Sequence, residues 1–492
     1  RGKYLHLHIR QTLANISEAK FLEASSLGEI QGESISTFTN EKVSHVVSAY
    51  NKSWLWLSPT WEMPKSIYWE EKDWIRGIRL DRYSYEQFVY GSQFIKRLMT
   101  RIDSSILKEM FAPVNNSEAK KLLNPSSIDT IYAAPFVLPL LDGNEEETYE
   151  LLESLLAPEE SARPEALHLK RVLAIENTLL IDEEQADQYR LTVLYFSGDL
   201  SRGDMHIRAV MEDVIPSVAA KLDRIIEALS RVTVPRVQRM LNMNQVPFSI
   251  MNRFATMPSL LANAYGPGYV WSATQTALHC RPLPEGRAYR WLSMRMNELA
   301  NKRDFRGIRD EVVYLFVLRE FLSRYHSEIL QTEEGVKPLN HWQHLVEKYH
   351  SGSIALEDLQ EIDALAFVTG LMTRQFSNSY YMKTGKSFVE HRVMRFGSAL
   401  RPRDIWTKGV QAMKPLSMQW GLALGESFHK VLPLVSIALV EAEKANRLSS
   451  EEDIYMTMFW AGHELYHKPE GKPGENTGKE NESIPNEEAV GQ

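Results

Sequence analysis

One cysteine, Cys280, stands in 492 residues. It cannot form an internal disulfide, and no zinc site can be built on several thiolates. Long hydrophobic runs are scarce as well. The longest nearly apolar stretch toward the C-terminus, Val431 to Val440, is about half of what a bilayer crossing needs. No basic leader precedes a hydrophobic core at the N-terminus, so no secretion signal is read there. These absences lead us to expect a cytoplasmic protein without a membrane partner. The sequence also lacks a Walker loop, a dinucleotide glycine fingerprint and a G-x-S-x-G elbow. No catalytic centre emerges, and no cofactor is expected.

The length is too great for one core, so more than one domain is expected. The fold class read from the pattern is α+β, a mixed N-terminal domain leading into a mainly helical region and a C-terminal helical bundle. The expected boundaries are residues 1–355 for the first domain, 356–467 for the bundle and 468–492 for a disordered tail almost without large apolar side chains. Tyr4 to Ile9 alternates in the manner of a strand and would set His6 and His8 on one face. Ser53 to Leu57 alternates too, and five tryptophans between Trp54 and Trp74 suit a packed core. Leu191 to Phe196 reads as a buried strand ending in a turn at Ser197-Gly198-Asp199. Pro216 suits a first helical turn, followed by an apolar stripe of Val218, Leu222, Ile225, Ile226 and Leu229. Val312 to Leu322 reads as an apolar helix. Bundle helices are expected over Leu356 to Tyr380, after Pro402, over Leu416 to Ala445 with a kink or break at Pro433, and from a Ser450 cap to about His467.

Charge is the most uneven property of the chain. The total is -8, yet Arg374 to Lys414 holds nine basic residues and two acidic ones, Glu390 and Asp404. The nine are Arg374, Lys383, Lys386, Arg392, Arg395, Arg401, Arg403, Lys408 and Lys414. A basic stripe on an acidic protein is suited to phosphates, although a solvated helix face is the plain competitor. Arg281 to Arg309 is a second basic stretch, and Leu141 to Arg190 is strongly acidic. Between them runs the polar stretch Leu241 to Phe254. Its Asn242, Asn244, Gln245, Asn252 and Arg253 are the types that read base edges, and Phe248 or Phe254 could wedge or stack. An ordinary polar turn has the same composition.

One motif points elsewhere. His463-Glu464-Leu465-Tyr466-His467 matches H-E-x-x-H, the two histidines and general base of a zinc peptidase. The match lacks its context: Pro469 follows at once, and no H-x-x-G-x-x-H continuation supplies a third ligand. The competing reading is a pair of histidines at the frayed end of a bundle helix, with no metal bound.

In several places the chain resembles the large subunit of the type I-B CRISPR surveillance complex, Cascade. Asp204 to Ser217 resembles that family's strand followed by an acidic-Val-x-Pro-Ser turn into a helix. Ala366 to Met372 resembles its glycine-containing apolar helix. Gly397 to Asp404, Trp420 to Gly425 and Phe459 to Leu465 match its C-terminal bundle in order and spacing. The resemblance covers about Asp204 to Leu465, and the chain lacks the cysteine-rich zinc insertion of many relatives. It implies a noncatalytic subunit that contacts guide RNA and the backbone and handle-binding subunits. It further implies recognition of a short adjacent motif in double-stranded target DNA, and guidance of the opened strands along the bundle. The implied downstream partner is a helicase-nuclease in defence, or a targeting adaptor in a transposon-encoded version. The resemblance also raises a separate small subunit, made from an internal start at Met372 or Met382.

Overall fold

The computed structural model describes residues 2–27, 34–48, 78–102, 130–139, 166–175, 178–180, 186–197, 206–266, 268–332, 336–394 and 400–466. The fold is α+β and mainly helical, with a small antiparallel sheet and a helical C-terminal region. The tryptophan-rich segment, most of the acidic segment, the Ser197-Gly198-Asp199 turn beyond Ser197, and the tail lie outside the described residues. The chain divides into one unit of residues 1–292 and 313–339 and another of 293–312 and 340–492.

The first unit opens on helix α1, Gly2–Leu27. The strand expected at Tyr4 to Ile9 is therefore helical, and His6 and His8 do not share a strand face. A six-residue alternation is a weak signal beside Ile9, Leu13 and Ile16, whose spacing is helical. Phe21 of α1 packs with Val47 and meets the Tyr85 ring of α2, Arg82–Leu98, at 5.7 Å. Asp81 caps α2 by accepting the Ser84 amide at 2.9 Å.

Strands β1 (Thr100–Arg101), β2 (Ile131–Pro139), β3 (Tyr189–Ser197) and β4 (His206–Val214) form one antiparallel sheet in the order β4-β3-β2-β1. Long apolar β3 sits inside it, paired with β2 from Ile131 opposite Ser197 to Pro139 opposite Tyr189. Two register shifts interrupt its ladder with β4. Tyr195 is fully buried, donates to the Leu173 carbonyl at 2.8 Å and meets Trp271 edge-on.

Helix α3, Pro216–Ala228, starts as its sequence predicts, with Pro216 in the first turn and the apolar stripe buried. Asp223 also lies on its buried side, where Arg171 holds it through two hydrogen bonds of 2.5 and 2.9 Å. Farther on, α4 (Met257–Tyr265) precedes the long α5 (Phe305–Arg324), which contains the apolar run expected at Val312 to Leu322.

In the second unit, α6 spans Ile362–Thr384, starting later and ending later than the interval read from the sequence. Its buried residues fall on nearly every side. The interval read as one helix from Leu416 to Ala445 is two: α7, Gln411–Trp420, and α8, Glu426–Lys444. The break falls at Gly421–Gly425, because Gly421 adopts φ 55° and its amide caps the Ser417 carbonyl. Pro433 neither ends nor divides α8; it is exposed within the helix. The last helix, α9, is Glu452–Leu465. Ser450 does not cap it, since its hydroxyl donates back to the Asn446 carbonyl at 3.1 Å.

Helices α6 and α9 cross backbone against backbone. A Cβ placed on Gly370 would lie 2.1 Å from the Phe459 carbonyl oxygen, and one on Gly462 would lie 1.9 Å from that of Phe367. Only glycine fits at either point. Trp342 closes one side of this core with its ring 5.0 Å from Phe367, and Phe376 gathers Phe388 and Phe428 on another.

Candidate nucleic-acid interface

The basic segment begins with Arg374 in the middle of α6 and runs to its C-terminal end. It continues through a π turn at Val389–Val393, a short helix at Pro402–Asp404 and a second π turn at Ile405–Val410 into α7. Apolar side chains fix each piece: Phe388, Val389, Val393, Ile405, Val410 and Met413 are buried. The polar positions between them are thereby turned outward.

The nine cations have separate fates. Lys383, Lys386, Arg392 and Lys414 are exposed and form no ion pair among the described residues. Arg401 is exposed, and its charge reaches Glu452, opposing the effect of burial on that carboxyl. Arg403 pairs with Glu443 at 2.5 Å, and Lys408 pairs with Asp404 one turn before it. Arg374 is half-buried and acts on the buried Glu464. Arg395 lies outside the described residues. The stripe thus has a free part at Lys383, Lys386, Arg392 and Lys414 and a structural part at Arg403, Lys408 and Arg374. Sequence reasoning misses the way Glu390 is used: Arg303 pairs with it at 3.7 Å, which joins the second basic stretch to the first. Arg306, three residues on at the start of α5, is exposed.

The Asn242–Arg253 stretch lies in the first unit. Asn242 takes φ 47°, a left-handed turn that asparagine tolerates. Gln238 pins the loop by donating to the carbonyls of Met243 and Asn244 at 3.1 and 2.8 Å. Asn242, Asn244, Gln245 and Asn252 project from this fixed frame, none of them buried. Arg253 is not free to read a base: its Nε donates to Asn263 at 3.0 Å, and its guanidinium stacks 4.2 Å from the Tyr314 ring centre. The two phenylalanines also separate. Phe254 is fully buried, whereas Phe248 is 78% exposed at the start of the short helix Phe248–Met251.

His463 and Glu464 are buried in the α9 core rather than at a frayed end. His463 Nδ1 is 3.0 Å from Glu464 Oε1, and Arg309 donates to Glu464 Oε2 at 3.2 Å. Burial lowers the His463 pKa, against the hydrogen bond to Glu464. Burial works to raise the Glu464 carboxyl, but the hydrogen bond and charge of His463, then the charges of Arg374 and Arg309, outweigh it and hold the group at about 2. A glutamate so engaged is a fixed anion, not a base open to a water. His467 lies outside the described residues, and no group of three His, Cys, Asp or Glu side chains suited to a metal occurs among the described ones. No described helix is long and apolar enough to cross a membrane. Comparison of the chain with models of known families, with curated proteins and with solved structures finds no match in any of the three.

Proposed function

We propose that this chain is a noncatalytic large subunit of an RNA-guided Cascade complex of type I-B kind. It recognises a short motif beside the target in duplex DNA, helps to open the duplex and steadies the separated strands. The carrying observation is the set Lys383, Lys386, Arg392 and Lys414, four exposed cations without ion pairs among the described residues, on an acidic chain. Such cations contribute little to folding and much to phosphate binding. Guide RNA supplies sequence by base pairing, so the protein needs to read only the adjacent motif. The pinned loop with Asn242, Asn244, Gln245 and Asn252 is the reader, and Phe248 is its wedge. Partners in this reading are guide RNA, target DNA, the backbone and handle-binding subunits, and either a helicase-nuclease or a transposon targeting adaptor.

Affinity purification from the native host, followed by sequencing of bound RNA, tests the assignment. Short RNAs sharing one 5′ tag support it; their absence rejects it. The phosphate role is tested by reversing Lys383, Lys386, Arg392 and Lys414 to Glu. Target affinity should fall, and the slope of log affinity against log salt should shrink by about one for each phosphate no longer neutralised. An unchanged slope would remove this surface from the DNA path. The zinc-peptidase alternative has the H-E-x-x-H spacing in its favour. The ion pairing of Glu464 weighs against it, and stoichiometric zinc lost in His463→Ala would restore it.

A further inference from the structure

Alanines face branched side chains across a gap in the second unit. Ala438 and Ala442 of α8, with Ala445 just beyond it, line a cavity whose other wall is Leu359, Ile362 and Leu365 around the start of α6. Steps of four and three residues set the alanines on one helix face. Their methyl groups reach only a short way across, and a volume of about 200 Å3 stays open. An apolar void of ~150 Å3 takes a benzene ring. This one therefore admits a phenylalanine or leucine side chain. Arg447 ties its two sides together. Nη1 donates to the Gln360 carbonyl at 2.7 Å, while Nε and Nη2 donate to Glu451 at 2.7 and 3.2 Å. The cavity is thus fixed before anything enters it.

Gln360, Glu441 and Ala445 are the exposed members of the lining and mark the mouth. Ile437, one turn before Glu441 on α8, is 47% exposed, and Val440 is 37% exposed. Apolar surface therefore continues from the cavity past Glu441 onto α8. The charge around the mouth is negative. Glu441 lines it, Glu361 stands 3.7 Å from Arg447, and Glu451 holds Arg447, which makes three carboxylates to one guanidinium. Glu441 forms no ion pair among the described residues. Lys444 is exposed at the end of α8, on the side of Ile437 and Val440.

We infer that the cavity and the Ile437–Val440 stripe dock a basic amphipathic helix of a partner protein. One phenylalanine or leucine of that helix fills the cavity, and its Lys or Arg side chains meet Glu441 and Glu361. This goes beyond the nucleic-acid reading and does not depend on it. The carboxylates that attract such a helix repel phosphates. A helix fits because residues at three- and four-residue spacing present one apolar row, the form in which helices lie in grooves. A second copy in a symmetric pair would set these carboxylates against their own kind.

The test uses the full chain made in its native host with the photocrosslinker p-benzoylphenylalanine in place of Ile437. After irradiation the assembly is purified, and the peptide joined to position 437 is sequenced. The expected adduct is a segment of another protein with large apolar residues three and four apart and Lys or Arg beside them. No adduct, an adduct with a second copy, with an acidic segment or with nucleic acid overturns the inference. The protein so identified is then titrated against variants. Ala438→Leu fills the cavity from within, so it should weaken binding by about tenfold or more without lowering the thermal midpoint. Wild-type affinity in Ala438→Leu overturns the cavity's role. If that variant unfolds earlier, Glu441→Lys decides: binding should weaken, most at low salt, and an unchanged affinity rejects the site. Lys383→Glu with Lys386→Glu should leave the partner bound; its loss there would mean that nucleic acid bridges the two. RNA is measured in the same preparation, and its absence rejects the guide-RNA assignment while the docking site stands.

Discussion

Gly462 and Gly370 hold the second unit together by what they lack. Replacing Gly462 with alanine puts a methyl group 1.9 Å from the Phe367 carbonyl oxygen, and neither backbone can yield without moving a helix. We expect Gly462→Ala to cost about 3 kcal/mol or more, at the upper end of overpacking effects, as measured by urea unfolding. Glu464 holds the same unit by its charge. Its folded pKa of about 2 lies below the ordinary value of 4.5, so its contribution is complete above pH 4.5. That contribution declines as pH falls from there through about 2. Glu464→Gln should flatten the decline and cost about 2 kcal/mol at neutral pH. The loss stays moderate because Arg309 is 37% exposed and can turn to water. A variant whose stability follows pH as the wild type does would show that other groups carry the acid sensitivity. Glu464 belongs to the stretch that imitates a zinc-peptidase motif, and Gly462 directly precedes it. The spacing of His463, Glu464 and His467 is readable in sequence; the partner that decides its meaning, Arg309, stands too far away in the chain to be inferred.

Elements in this chain are set by their ends. Asp81 accepts from the Ser84 amide, the Ser84 hydroxyl and the Thr39 hydroxyl, tying α2 to the turn at Thr37–Thr39. Burial opposes the charge of this carboxyl, but these bonds and one with Ser36 hold it at about 2. Asp81→Ala should cost about 1–2 kcal/mol, and Asp81→Asn less, in thermal or urea unfolding. Sequence signals are legible where they act locally. Pro216 with its apolar stripe, and the continuous apolar run of β3, need no distant partner to be recognised. Others are outweighed. Pro433 carries a strong local expectation of a break, yet the chain breaks where Gly421 can adopt a left-handed turn. Tyr4 to Ile9 alternates, but a helix satisfies its own backbone hydrogen bonds, while a strand must find a neighbour. The basic segment is plain as a count of charges. Its division into free and paired members is not, because the partners of Arg403 and Arg374, Glu443 and Glu464, lie on α8 and α9.

At the scale of the molecule, charge is unevenly distributed. Lys383, Lys386, Arg392 and Lys414, exposed, lie from the last turn of α6 to α7, and the amide-rich loop belongs to the other unit. The same arrangement bears on a separately made bundle. Met372 and Met382 both lie inside α6, and a start at Met372 would remove Phe367 and Gly370, the residues that receive Gly462. Intact-mass measurement of the purified assembly tests the separate small subunit, and the absence of a fragment beginning at either methionine would count against it. A discrete fragment would mean that α9 closes on something other than the first half of α6. The glycine crossing has a temporal side as well. Gly462 is made about 90 residues after Gly370, several seconds later at ribosomal speed. For that interval α6 has no partner for the face it later presents to α9. A newborn chain stalled in that window would display the Gly370 face of α6 as a chaperone site, and closure of this crossing would wait on α9 leaving the tunnel.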